Sequence, residues 1–110
     1  MRNIWLGLAL VPYVAAVGID AWMHERRRRV PRLEQWIHAG LAIAMATFLA
    51  AVFGERAVPA VAALAMFLAL LVADEARFHK TIAPAERRVH AASWIALAGF
   101  VAAWRWIDAA

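Results

Sequence analysis

The chain has 110 residues, a net charge of +4 and no cysteine, and 65% of its residues are hydrophobic. That length fits one domain, and the apolar share exceeds the roughly 45–50% of a soluble globular protein. The lack of cysteine excludes disulfides, thiolate metal sites and cysteine nucleophiles. Basic residues flank the apolar segments, so membrane orientation explains the positive charge better than nucleic-acid binding does.

Four apolar runs predict four transmembrane helices, at residues 4–19, 36–53, 57–73 and 89–104. Amphipathic flanks bring each run near the about 20 residues that a bilayer requires. The first predicted helix runs from about Ile4 to Arg27 and contains Pro12, which membrane helices tolerate. Its start resembles a signal peptide, but Asp20 and His24 match motifs found later in the chain, so we expect this helix to be retained.

Prolines and a glycine mark the other predicted helix boundaries. The second helix is predicted from about Pro31 to Phe53, with Gly54 as its C-terminal cap. Because the following loop is only residues 54–56, helices 2 and 3 must be antiparallel neighbours. The third helix is predicted from about Ala57 to Lys80, and the fourth from about Pro84 to Ile107.

These elements predict an all-α fold, an integral membrane four-helix bundle with up-down-up-down topology and one domain over residues 1–110. Each half of the chain contains a helix that ends in acid-x-x-x-His, a basic turn, and a second helix that opens with the same motif. We therefore interpret the bundle as two tandem helical hairpins, at about 4–53 and 57–107. Tryptophans near both ends of the helices match the aromatic belts of membrane proteins.

Basic residues are concentrated at the end of the predicted bundle that carries the motifs. Only Arg2, Arg56 and Arg105, of twelve Lys and Arg, lie at the other end. The positive-inside rule places the motif end in the cytoplasm and both termini outside. The prediction is a multi-pass protein of a bacterial-type inner or cell membrane, with the lipid bilayer as partner. A homodimer is left open.

Every histidine in the chain lies four residues after an acid. The pairs are Asp20/His24, Glu34/His38, Glu75/His79 and Glu86/His90. Since only 8 of 110 residues are acidic, chance does not explain this recurrence. Residues four apart stack on one helix face, so each helix presents a carboxylate and an imidazole in the same direction.

Alternating helix directions predict two ligand layers, about 6 Å apart along the bundle. The members are Asp20, His38, Glu75 and His90 in one layer, and His24, Glu34, His79 and Glu86 in the other. Each layer has two carboxylates and two imidazoles, which suits Zn²⁺, Fe²⁺ or Mn²⁺. The sequence predicts a dinuclear or multinuclear metal site, with two or more zinc or iron ions.

The helix dipole explains only half of these residues. It favours acids at helix N-termini and histidines at C-termini, which accounts for Glu34, Glu86, His24 and His79. The remaining four oppose the dipole. Ionisable groups at the edge of the bilayer core are costly and generally functional, so a bound metal is the favoured interpretation over a structural polar network.

Three further residues lie near the motifs. Asp74 adjoins Glu75 but points about 100° away on a helix; it is either an extra ligand or, as we favour, an ion-pair partner of Arg77. Tyr13 and Ser93 lie on motif faces and are candidates to hydrogen-bond the ligands. An ordinary position facing the bundle is equally compatible with both.

The predicted site resembles the di-metal carboxylate–histidine bundles of the ferritin-like proteins in its ligand types and its bundle. Those proteins carry Glu-x-x-His on two helices, whereas all four helices here use a four-residue step, and no family is inferred. The favoured function is a membrane metal-binding protein, with structural and catalytic roles both open and no catalytic residue assigned. The alternatives are a metal-ion or proton transporter and a haem protein; four carboxylates would repel a porphyrin.

Overall fold

A computed structural model describes residues 1–27, 32–78 and 84–109 of the chain. Within these residues the protein is all-helical, as predicted. Its helices are α1 (Arg2–Arg27), α2 (Arg32–Phe53), α3 (Ala57–Phe78) and α4 (Pro84–Ala109). These bounds lie within a few residues of the helices expected from apolar runs and prolines.

The prolines occupy positions that a helix accepts. Pro12 lies inside α1. Pro84 is the first residue of α4, where the missing N–H removes no intrahelical hydrogen bond. Pro59 lies in the first turn of α3 for the same reason. Pro31, the predicted start of the second helix, lies outside the described residues.

The helices form two compact units. Unit 1 contains α1 and α4, and unit 2 contains α2 and α3. Each unit is a pair of packed helices with its own core. The sequence predicted a single domain in which two tandem hairpins form a four-helix bundle. These features depend on how all four helices join, and they stay predictions.

The core of unit 2 follows one face of each helix. Its buried side chains include Ala44, Phe48 and Ala51 from α2, and Ala60, Ala63 and Phe67 from α3. Spacings of three and four residues place each set on a single helix face. Small side chains allow close approach, and a Cβ on Gly40 would lie only 3.2 Å from Cδ1 of Leu70.

A tight turn connects α2 to α3. The Arg56 amide donates to the Ala51 carbonyl at 2.8 Å, and the Glu55 amide donates to the Val52 carbonyl at 3.2 Å. This is the Schellman pattern of helix termination. Glu55, with φ of 59°, occupies the left-handed position, which corrects the predicted cap at Gly54. Gly54 instead provides space, since a Cβ there would lie 2.9 Å from a carbonyl oxygen of α2.

Unit 1 pairs the first and last helices of the chain. Its buried apolar side chains include Leu6, Tyr13 and Met23 from α1, and Leu97, Phe100 and Trp104 from α4. Near the termini, Nε and Nη2 of Arg2 donate to the Asp108 carboxylate at 2.7 and 3.0 Å. The hydrogen bond from Arg2 is the largest cause of an Asp108 pKa below its usual range.

Three of the four described helices are long and apolar enough to cross a membrane. The segments are Arg2–Met23, Arg32–Phe53 and Ala57–Glu75. Large apolar side chains such as Trp5, Trp36 and Val58 are exposed on them, which indicates surfaces that contact lipid. The apolar run of α4 lies between charged residues, and its role as a fourth span stays a prediction.

Candidate metal site

The first turns of α2 place Glu34 and His38 on one helix face. Nε2 of His38 lies 3.6 Å from Oε1 of Glu34. Glu34 is completely buried, at 0% exposure, and its position in the first turn lets the helix dipole stabilise its negative charge. The His38 side chain is 36% exposed. The four-residue step therefore brings an acid and an imidazole together on α2.

Asp74 of α3 approaches the same imidazole from the neighbouring helix. Its Oδ1 atom lies 3.3 Å from Nε2 of His38, and Asp74 is only 1% exposed. One ligand atom from each of Glu34, His38 and Asp74 lies within 4.8 Å of the other two. We call these three residues the triad. Two of them come from one helix, so the packing of α2 against α3 completes the group.

Burial makes charge the dominant property of the triad. Glu34 and Asp74 are both withdrawn from solvent, and burying a carboxylate is costly unless it is paired or coordinates a metal. The His38 imidazole lies within 3.6 Å of both of them. Mixed carboxylate and imidazole ligands are typical of zinc, iron and manganese sites.

The sequence predicted Glu75 as the α3 ligand in the layer of His38, with Glu34 in the other layer. In the triad, Asp74 is the residue from α3, and Glu34 and His38 lie together. The favoured sequence interpretation paired Asp74 with Arg77, whose side chain lies outside the described residues. Asp74 continues a buried line on α3 that includes Ala60 and Phe67 at seven-residue intervals. Seven residues are two helical turns, so this line faces α2 throughout. That periodicity is the sequence signal for Asp74.

Unit 1 holds a separate acid–histidine contact, between α1 and α4. Oδ2 of Asp20 lies 2.8 Å from Nδ1 of His90, and His90 is 8% exposed. We call these two residues the dyad; both belong to the same predicted ligand layer. A carboxylate bonded to one ring nitrogen fixes the orientation of an imidazole, as is common at metal sites.

Neighbouring side chains hold His90 in position. The Ser93 hydroxyl donates to the His90 backbone carbonyl at 2.6 Å, so this predicted supporting residue bonds to the backbone of His90 rather than to its ring. The Trp94 ring meets the imidazole edge-on, with centroids 5.3 Å apart. Tyr13, the other predicted supporting residue, is buried two turns before Asp20 on α1.

Three predicted ligands complete the sequence motifs. His24 and Glu86 belong to α1 and α4, but their side chains lie outside the described set, as does the whole of His79. The two-layer cage would also combine residues of both units. The cage and the eight-residue ligand set therefore stay predictions, beside a triad and a dyad that the structure places directly.

No protein-family model matches the chain, and neither curated proteins nor solved structures give a significant match.

Proposed function

We propose that this chain is an integral membrane protein that binds divalent transition metal ions through buried carboxylate and imidazole groups. The triad is the observation that carries the proposal. Three potential ligands from two helices converge within 4.8 Å, and two of them are carboxylates withdrawn from water. Metal bonds of about 2.1 Å would draw these atoms inward, and the neutralised charge would stabilise the α2–α3 pair.

Membrane insertion is supported by the three candidate spans and by the uneven distribution of basic residues. On the positive-inside rule, the triad and the dyad belong to the cytoplasmic ends of their helices. The His38 side chain is partly exposed, so we propose that the ion enters the triad from the cytoplasmic side.

The proposed metal is zinc or iron, and the proposed stoichiometry is two ions or more. The triad would hold one ion, and His90 of the dyad would contribute to a second. Three protein ligands leave coordination positions for water, which is the pattern of catalytic zinc sites rather than closed structural ones. A metal-activated water is therefore the chemistry that such a site would supply.

Elemental analysis of protein purified without chelators tests the proposal. We expect at least one equivalent of a transition metal in the native chain. Fewer than about half an equivalent, after purification at neutral pH where the ligands are available, would overturn it.

Two variants locate the ion. His38→Gln should lose the metal of unit 2, because it removes the imidazole that lies 3.6 and 3.3 Å from the two carboxylates. Glu55→Gln, in the exposed turn between the same helices, removes one acid elsewhere and should retain full occupancy. Equal metal content in both variants would contradict assignment to the triad.

A further inference from the structure

The dyad and the Arg2–Asp108 ion pair lie at matching positions on the two helices of unit 1. Arg2 precedes Asp20 by 18 residues, and Asp108 follows His90 by 18 residues. Eighteen residues are five complete helical turns, or about 27 Å. The two polar contacts therefore share one face of each helix, one at each end of the pair.

A single register fits both polar contacts and two pairs of buried apolar positions in unit 1. In both polar contacts the two residue numbers sum to 110. The same sum places Leu6 opposite Trp104 and Tyr13 opposite Leu97, and these four side chains are all buried. Antiparallel helices in this register thus bury matching apolar positions between their polar ends.

The two units need different means to set their register. In unit 2, the turn at residues 54–56 connects α2 directly to α3 and holds their ends together. In unit 1, α1 and α4 are the first and last helices, with more than fifty residues between them. No short loop prevents them from sliding by one turn, about 5.4 Å.

The Arg2–Asp108 ion pair has the geometry to set the register of α1 and α4 in the absence of a short connecting loop. Nε and Nη2 of Arg2 reach separate oxygens of the carboxylate, at 2.7 and 3.0 Å. Nε1 of Trp104, a residue only 2% exposed, donates to the same carboxylate at 2.9 Å. Paired N–H donors add directional specificity, and the Trp104 bond connects the ion pair to the buried core of the unit.

We propose that Arg2 and Asp108 form a register clasp that positions Asp20 against His90 from the far end of unit 1. A one-turn slip would separate Arg2 from Asp108 and Asp20 from His90 together, so the clasp stabilises the one register in which the dyad forms. Polar groups in helix interfaces specify register in this way elsewhere. Its span of about 27 Å also approaches the roughly 30 Å hydrocarbon core of a bilayer, which places both polar contacts near membrane surfaces. The clasp forms without any contribution from a bound metal.

Cysteine cross-linking measures the register directly, because the chain has no cysteine of its own. Ala9→Cys with Val101→Cys reports the native register, since these numbers also sum to 110. Ala9→Cys with Ala98→Cys reports a slip of nearly one turn. Disulfides form only where the Cα atoms are within about 7 Å. In bilayers, we expect the native pair to cross-link at least about tenfold more than the slipped pair.

Arg2→Ala or Asp108→Ala should reduce that ratio to about threefold or less. The exchanged chain, Arg2→Asp with Asp108→Arg, should restore it, although each position then carries the opposite charge. Arg56→Ala removes an arginine from the turn of unit 2 and should leave the ratio unchanged. Helix content by circular dichroism identifies any chain that fails to fold.

Two outcomes would overturn the clasp. One is an unchanged ratio in both alanine variants that retain native helix content. The other is an equal loss in Arg56→Ala, which would indicate a general charge effect. Failure of the exchanged chain to recover the ratio, while folded, would also contradict a role for the ion pair itself.

Discussion

Units 1 and 2 each bring an acid from one helix to a histidine of the other, yet they do so in different ways. In unit 2, Nε2 of His38 faces carboxylates from both helices, so the ring and the acids converge on one point. In unit 1, Asp20 contacts Nδ1 of His90, so the acid orients the ring. The same pair of residue types thus produces a group of converging ligands in one unit and an oriented imidazole in the other.

The sharpest test of this difference uses adjacent acids on α3. Asp74→Asn should weaken metal binding at the triad at least about 100-fold, because breaking a buried charged contact costs about 3–5 kcal/mol. Glu75→Gln changes the neighbouring carboxylate, which lies outside the triad, and should change affinity less than about threefold. Competition with a colorimetric chelator measures both. Equal losses of metal affinity in the two variants would indicate that Glu75 is also a ligand from α3.

A smaller effect is expected at the dyad. His90→Gln should remove one equivalent of metal. Asp20→Asn should only reduce the affinity for that ion about tenfold, which is the usual effect of losing a residue that orients a ligand. Isothermal titration of the purified chain measures the stoichiometry and the affinity. If Asp20→Asn removes the ion as completely as His90→Gln does, Asp20 is itself a ligand, as the sequence interpretation held.

Glycines offer a stability comparison between the units. Gly99 of α4 has no heavy atom within 4 Å of a Cβ placed on it, among the described residues, whereas a Cβ on Gly40 of α2 meets Leu70 at 3.2 Å. Gly99→Ala should raise the free energy of unfolding by about 0.5–1 kcal/mol, since alanine favours helix. Gly40→Ala should raise the free energy of unfolding by less, because the Leu70 side chain must move to make room.

Unfolding in mixed micelles gives both values. Repeating Gly40→Ala in a Leu70→Ala background isolates the contact as a double-mutant cycle. In the Leu70→Ala background, Gly40→Ala should give the full increase in the free energy of unfolding that is expected from helix propensity. A Gly40→Ala gain equal to that of Gly99→Ala in the native background would show that the close approach of α2 and α3 is not restrictive.

The smallest expected effect is the change in the stability of unit 1 at low pH. The hydrogen bond from Arg2 lowers the pKa of Asp108 below 3.8, its ordinary value. A lowered folded pKa means that this carboxylate stabilises unit 1 above pH 3.8 and that the contribution is lost as the pH falls through the folded pKa. NMR titration of the Asp108 carboxyl carbon measures it. Arg2→Gln should return the pKa towards 3.8, and no change on that substitution would exclude Arg2 as the cause.

Features encoded locally could be predicted from the sequence. Helix bounds followed from apolar runs and from Pro84 and Gly54, since the chemistry of a helix end depends on a few adjacent residues. The stacking of Glu34 on His38 followed from helical period alone. The left-handed conformation of Glu55 was not expected, because glycine adopts it most readily and Gly54 is the adjacent residue.

Contacts between helices were harder to anticipate. The pairing of α1 with α4 depends on matched surfaces across the length of the chain, and Arg2 and Asp108 are 106 residues apart. The residues adjacent to Arg2 and Asp108 in the sequence do not indicate this contact. The positive-inside rule uses Arg2 only as a signal for the orientation of the chain in the membrane. The repeated acid-x-x-x-His motif favours Glu75 over Asp74 as the α3 ligand, although the buried line on α3 passes through Asp74.

The order of the helices along the chain has a consequence for biosynthesis. The partners of unit 2 are consecutive, so they can associate while the ribosome is still at work, whereas α1 must await the last helix. We therefore expect the triad to assemble before the dyad. A stalled nascent chain that exposes α1 to α3 but lacks α4 should already bind metal at the triad, and a failure to do so would show that assembly requires the finished protein.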